Sequence, residues 1–373
     1  MKNIQADITA TKTYFPALEG MRGVAISLVV LYHCFSFTGL FRFGWIGVDM
    51  FFVLSGFLIT RIILNTVNAP NYLQNFYVRR ILRIFPLYYT VLLILFFVLP
   101  ALVNVPYNIL YYLSDQHYFW LYIQNWLLII NPGDKLLNHF WSLALEEQYY
   151  LAWPLIILFL KDKKKIAILL IAILIMLNAA RTFLWQLHIL GFPYTSLFKF
   201  TRIDGLCVGS LLATLYTPGA GLNKKRNVTV SFLIIVMLNI SLFLVKKYID
   251  PATPYYSSAG YTTIAFFSAL LITQCLSPYG IIYKIFTYPV LKFLGKISYG
   301  LYIFHWIIYH LLSGQFSKHI ADHFLVSQLG SDLMASFICV FLSIAISIFS
   351  YHYFEKYFLR LKEKLTVYSV GMN

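Results

Sequence analysis

Residues 22–40 read RGVAISLVVLYHCFSFTGL. From Val24 to Leu40 no Asp, Glu, Lys or Arg interrupts the run. Wound into a helix at about 1.5 Å per residue, it covers most of a hydrocarbon core roughly 30 Å thick, so it reads as a membrane crossing. The stretch also carries two groups that a lipid-facing helix does not need. Arg22 and His33 lie eleven positions apart. At about 100° per residue they end about 20° apart around the helix, on one face, with about 16 Å of rise between them. The cation then lies at a membrane surface while the imidazole hangs near mid-bilayer.

The rest of the chain repeats the apolar theme. Of 373 residues 60% are hydrophobic and 12% charged, with a mean hydropathy of +0.72, which would cover a soluble protein in apolar surface. The expected fold is all-α, a polytopic helical bundle of about ten membrane helices. The windows are 24–40, 46–64, 84–103, 141–160, 166–184, 200–217, 230–247, 260–277, 297–313 and 333–353. The apolar, aromatic segment 117–131 is too short to span and is read as lying at the membrane or re-entering it.

With the N-terminus inside, the outer segments hold only Arg42, Lys135, Arg181, Lys199, Arg202, Lys246, Lys247 and Lys318 of the 29 Lys and Arg. Both termini are therefore expected in the cytoplasm. The division that follows is a cytoplasmic segment 1–23, a transmembrane domain 24–353 and a cytoplasmic tail 354–373. The net charge of +15 reflects this bias and attraction to anionic membrane lipid, with nothing that points to nucleic acid. Cys34, Cys207, Cys275 and Cys339 are scattered singly, without metal-ligand or disulfide spacing, so no metal is expected. No cleavable signal, internal repeat or room for a soluble domain is read from the chain, which leaves the membrane domain to carry the chemistry.

Ionisable side chains at membrane depth are costly and become functional candidates. Arg79, Arg80 and Arg83 fall within one helical turn, just before the Phe85-Pro86 entry expected for helix three. With Arg22 they make a seat for a phosphate-bearing group from the cytosol, although the positive-inside rule alone would place any single one of them there. His33 suits a general base because an imidazole titrates near neutrality. His305 is read as an interhelical hydrogen-bond partner. Glu146 and Glu147 are about 100° apart, and Ser142, Glu146 and Tyr150 form a stripe at four-residue spacing, so Glu146 is expected to face inward and Glu147 to pack. Asp49 and Asp204 are expected in the outer third with Glu146, Asp204 near enough to Arg202 for a structural pair. Ser55-Gly56 reads as a close helix contact.

These residues fall in motifs that resemble the acyltransferase-3 family of membrane acyltransferases, which includes O-antigen and exopolysaccharide O-acetylases. The motifs are Arg22-x10-His33, GVDMFFVLSGFLI at 47–59, RRILRIFP at 79–86, WSLALEEQYY at 141–150, RIDGL at 202–206 and ISYGLY at 297–302. Tyr149 replaces a more usual Phe, and Lys356-Tyr357 stands where Arg-Pro is familiar. The resemblance implies a ten-helix domain in the bacterial plasma membrane that takes an acyl group, acetyl first among candidates, from cytosolic acyl-CoA. The acceptor would be a hydroxyl of a cell-surface glycan or lipid-linked saccharide. Such an enzyme is an acyltransferase of the class that moves groups other than amino-acyl groups, and it binds acyl-CoA as a substrate with no permanent cofactor. The family also occurs fused to an extracellular hydrolase-like domain; without one, the membrane domain would finish the transfer or hand the group to a separate protein.

The expected roles follow. Arg79, Arg80, Arg83 and Arg22 hold the donor phosphates, and the pantetheine arm runs up helix one to His33. Asp49, Tyr150 and Asp204 bind the acceptor, with His33, Arg22 and Glu146 catalytic. A covalent acyl-enzyme on Ser142 or Tyr150 is disfavoured, since no activating base stands beside either. The alternative of another class is a transporter or flippase of lipid-linked glycan precursors, with the same cationic floor binding diphosphate.

Overall fold

The computed structural model describes residues 14–102, 112–130, 136–189, 201–216, 230, 237, 260–278, 280–324 and 326–366. Every regular element among them is helical. The principal helices are α1 (Pro16–Phe35), α2 (Ile46–Thr66), α3 (Tyr72–Leu93), α4 (Trp141–Leu160), α5 (Lys163–Ile189), α6 (Asp204–Leu215), α7 (Tyr261–Cys275), α8 (Pro289–Phe324), α9 (Gln328–Ser350) and α10 (Lys356–Leu365). Six helical stretches are long and apolar enough to cross a membrane: Pro16–Thr38, Arg42–Thr66, Tyr72–Leu102, Asn138–Leu160, Lys163–Leu184 and Gln328–Leu365. α6 and α7 are apolar but short, at 12 and 15 residues. The window expected at 230–247 lies almost wholly outside the described residues.

Helix three begins at Tyr72 instead of residue 84, and Pro86 sits inside it. Its first half is polar and Arg-bearing, so an apolar window cannot see it, and Pro86 passes for a helix start. The consequence is that Arg79, Arg80 and Arg83 stand on a rigid helix and not on a loop. The expected C-terminal tail likewise contains a helix, α10, which packs back against α3. The segment at 117–131 forms two short helices, His117–Trp120 and Gln124–Ile130, joined at Tyr122, whose φ of 54° is left-handed. That conformation is held from both sides. The Tyr122 ring stacks on Tyr88 at 4.2 Å, and its carbonyl accepts from Gln148 Nε2 at 2.9 Å.

α1 lies along α8, and α2 along α6, in contacts close enough to require glycine. A Cβ on Gly23 would stand 2.0 Å from the Leu291 carbonyl oxygen, and one on Gly56 2.1 Å from that of Leu206. Gly23 adjoins Arg22 and Gly56 adjoins Ser55, so these backbone approaches fix where two site residues start. Gly56 is thus the close contact expected of it.

Two buried ion pairs tie α2, α5, α6 and α7 together. Arg181 meets Asp204 through two bonds of 2.7 Å, and Thr262 also donates to that carboxylate. Arg202 meets Asp49 at 2.5 Å and lies over the rings of Tyr261, Trp141 and Trp45 at 4.4, 5.2 and 5.5 Å. Tyr149 enters a third polar cluster, its hydroxyl 2.6 Å from Ser210 Oγ, which accepts from Thr60, itself bonded by the Trp153 indole.

Candidate active site

α1, α2, α3, α4 and α8, with the π-helical stretch Tyr351–Glu355 that leads from α9 into α10 and α10 itself, line a cavity of about 510 Å³. It is wide in charge at one end and ends in hydroxyls at the other. From α1 come Glu19 and Arg22, from α3 Arg80 and Arg83, from α8 Lys296 and Ser298, and from the C-terminal elements Glu355 and Lys362. The helix directions place Lys296, Lys362, Arg80 and Arg83 with the starts of α1 and α3. Ser142, Tyr302, Val48 and Phe52 line the cavity at the level where α2 and α4 begin.

Each half has its own bonding logic. Arg22 donates to Ser298 Oγ at 3.0 Å, and Ser55 donates to the Glu146 carboxylate at 2.9 Å. Glu19 accepts from Tyr14, and Glu355 from Ser350 at 3.1 Å. Glu19, Glu146 and Glu355 are thereby bonded by hydroxyls. Among the described residues Arg80, Arg83, Lys296 and Lys362 have no carboxylate within ion-pair distance, although all four line one cavity. Four such cations repel one another, and a polyanion placed among them removes that repulsion while supplying oxygens for their N–H donors. Outside the spanning helices the Tyr14 phenol is pushed up to about 12, by partial burial first and then by its bond to the Glu19 carboxylate.

Away from these cations the Ser142 and Tyr302 hydroxyls lie 2.5 Å apart, and both reach the His139 carbonyl, at 3.1 and 2.9 Å. Behind this layer three imidazoles gather. The rings of His33 and His305 stack at 5.0 Å, with His139 5.4 Å from His305 and 6.4 Å from His33. His305 Nδ1 is 2.8 Å from the Leu301 carbonyl, which can only accept, so Nδ1 carries the proton. Neutral His305 then offers a lone pair at Nε2, and His33 Nδ1, 2.7 Å away, must be the donor. That leaves His33 Nε2 as the free base atom. His139 sends Nε2 toward the Ile303 carbonyl at 3.3 Å, and its buried Nδ1 has no hydrogen-bond partner among the described residues.

The sequence-predicted residues divide between these places. Arg22 and His33 do share a face, since Ser298 and His305 both lie on α8, but Tyr302 stands between their partners and His33 does not line the cavity. Ser142, Glu146 and Tyr150 all line it as one stripe. Glu146 was expected in an outer layer and is instead in one cavity with Arg22, Arg80 and Arg83. The stripe runs over two turns of α4, about 12 Å, far enough to bridge the two levels. Glu147, expected to pack, lines the cavity as well, together with Arg80 and Tyr299. Arg79 turns away to donate to the Thr366 carbonyl at 3.0 Å. Asp49 and Asp204 sit in the ion pairs described above, outside the cavity lining. The pair expected between Asp204 and Arg202 is re-partnered, Asp204 with Arg181 and Arg202 with Asp49.

Sequence reasoning passed over Ser55 as a packing residue and did not single out His139, Ser298, Lys296, Lys362 or Glu355. Ser55 carried a usable signal, because it sits one turn from Asp49-Met50-Phe51-Phe52 on an apolar helix. The others gain meaning only from their neighbours in space.

A family model described as an acyltransferase domain matches residues 15–352. The peptidoglycan O-acetyltransferase OatA of Listeria monocytogenes is 28% identical over 317 residues, 80% of this chain and 50% of that protein. The O-acetyltransferase OatA of Staphylococcus aureus strain NCTC 8325 is 28% identical over 312 residues, 79% of this chain and again 50% of that one. The chain thus spans about half the length of the curated relatives it matches. No solved structure matches.

Proposed function

The chain belongs to the acyltransferase-3 family, and from that premise we propose that it is a membrane O-acyltransferase moving an acetyl or similar acyl group from cytosolic acyl-CoA to a glycan hydroxyl. The observation that carries this reading is the cavity itself, with four cations that lack carboxylate partners among the described residues at one end and a hydroxyl layer backed by histidines at the other. The proposed topology has ten crossings with both termini cytoplasmic, which puts the cationic mouth on the side where acyl-CoA is made. A cell-surface glycan or lipid-linked saccharide is the proposed acceptor, and the relative named for peptidoglycan makes peptidoglycan sugars the first to test.

In the proposed reaction Arg80, Arg83, Lys296 and Lys362 hold the donor's phosphates, with the thioester directed past Arg22 and Glu146 toward Tyr302. A turn of the Tyr302 side chain opens the layer to the histidines. His33 Nε2 takes the proton of the acceptor hydroxyl, whose oxygen attacks the thioester carbonyl. The Ser142 and Tyr302 hydroxyls are the nearest donors for the resulting oxyanion. Collapse of the adduct breaks the C–S bond and expels CoA thiolate, which takes up the proton held by His33 and leaves as the thiol, returning His33 to its neutral form. Ser142 is bonded to Tyr302 and a carbonyl, with no base beside it, which disfavours an acyl-serine. The flippase alternative lacks support from the family.

The test mixes purified protein, acetyl-CoA and a muramyl-glycan acceptor and follows free thiol. Acceptor-dependent thiol release is expected; transport of a lipid-linked glycan without thiol release would overturn the reading. A companion variant, Arg80→Gln with Arg83→Gln, is expected to raise the KM for acetyl-CoA by about 10- to 100-fold while leaving acceptor KM within about twofold, since charge-assisted phosphate contacts are lost at one end only.

A further inference from the structure

The helix that follows the last crossing ends over the mouth of the cavity. Leu359 and Lys362, one turn apart on α10, line the cavity wall that also carries Arg80 and Arg83 of α3. Two other basic residues of α10, Arg360 and Lys364, behave differently. Arg360 and Lys364 are exposed, as befits contact with a membrane surface, whereas Lys362 is half-buried and faces inward. The end of the helix is held by Arg79, whose guanidinium bonds the Thr366 carbonyl at 3.0 Å. Adjacent arginines of α3 thus do different things: Arg80 meets the cavity and Arg79 meets the chain that follows α10.

We propose that α10 forms a wall of the donor's phosphate seat, with Lys362 a direct phosphate-binding residue and Arg79 the positioning residue that keeps it there. The proposal rests on acyl-CoA being the donor. Glu355, the nearest acid preceding α10 on this wall, is turned to the Ser350 hydroxyl, and no carboxylate lies within ion-pair distance of Lys362 among the described residues. A compact ammonium on this wall adds a point charge to the forked donors of Arg80 and Arg83 opposite a polyphosphate. Arg79 keeps that charge in register by satisfying a carbonyl just past the end of α10.

The experiment titrates the full chain, purified in detergent, with coenzyme A and separately with pantetheine, which lacks the phosphates and the nucleotide. Lys362→Gln is expected to weaken coenzyme A binding about tenfold with little change for pantetheine, and Lys362→Arg to restore most of the loss. Arg79→Gln, whose altered side chain does not line the cavity, is expected to produce the same phosphate-selective loss. Coenzyme A affinity unchanged in both Gln variants overturns the assignment while leaving the donor reading intact. Equal weakening of both probes overturns it too, as a general structural effect. A wild-type protein that binds no coenzyme A overturns the donor reading and this assignment with it.

Discussion

Replacing His33 with alanine is expected to lower acyl transfer by about 10² to 10⁴ while leaving coenzyme A binding within about twofold of wild type, the usual worth of a general base that does not hold the donor. The separation follows from the geometry. His33 stands behind the Ser142–Tyr302 layer and is absent from the cavity lining, so its loss leaves the cationic mouth untouched. His33→Ala removes a hydrogen bond to His305 and a ring contact with Trp306 at 4.4 Å, a change that a half-buried site tolerates. Thiol release and coenzyme A titration on one monodisperse sample check both halves. Near wild-type turnover would remove His33 from the reaction; equal loss of turnover and donor binding would make it structural.

Arg181→Met is expected to cost about 3–5 kcal/mol of stability, enough to threaten a fold whose whole margin is of order 10 kcal/mol. The substitution strips two 2.7 Å bonds from Asp204, whose side chain is 2% exposed, and leaves its charge buried with Thr262 as a remaining donor. Adding Asp204→Leu should recover most of the loss, because replacing a buried pair with apolar groups is often close to neutral. Unfolding of the detergent-purified single and double variants measures this directly. A single variant as stable as wild type would show that the pair does not staple α5 to α6, and would reopen Asp204 to another role.

The two predictions separate what was legible in the chain from what was not. Hydropathy over windows of helix length, and the bias of Lys and Arg between loops, are properties of each segment taken alone. They were sufficient for an all-helical membrane protein and for most helix positions. They failed at Tyr72–Arg83, where the first half of α3 is amphipathic and charged, and at Lys356–Leu365, a helix that an apolar window passes over as tail. Angular arithmetic on one helix also held: Ser142, Glu146 and Tyr150 line one cavity, and Arg22 and His33 both meet α8.

Assignments across helices fared otherwise, because the partner of a buried polar group depends on how neighbouring helices are set in register. Asp204 lies two positions from Arg202, yet bonds Arg181 on α5, while Arg202 reaches Asp49 on α2. The expected layering of cations below and carboxylates above gave way to a cavity in which Glu146 and Glu147 share walls with Arg80 and Arg83. Local sequence alone determined that this chain is a helical membrane protein with Arg22, His33 and the Ser142-to-Tyr150 stripe facing its interior, since burial in lipid constrains each helix by itself. Only the tertiary structure decided that Tyr302 and Ser142 part the cavity from the histidines and that Lys362 joins the cationic mouth, since close approaches such as Gly23 on Leu291 and Gly56 on Leu206 set one helix against another.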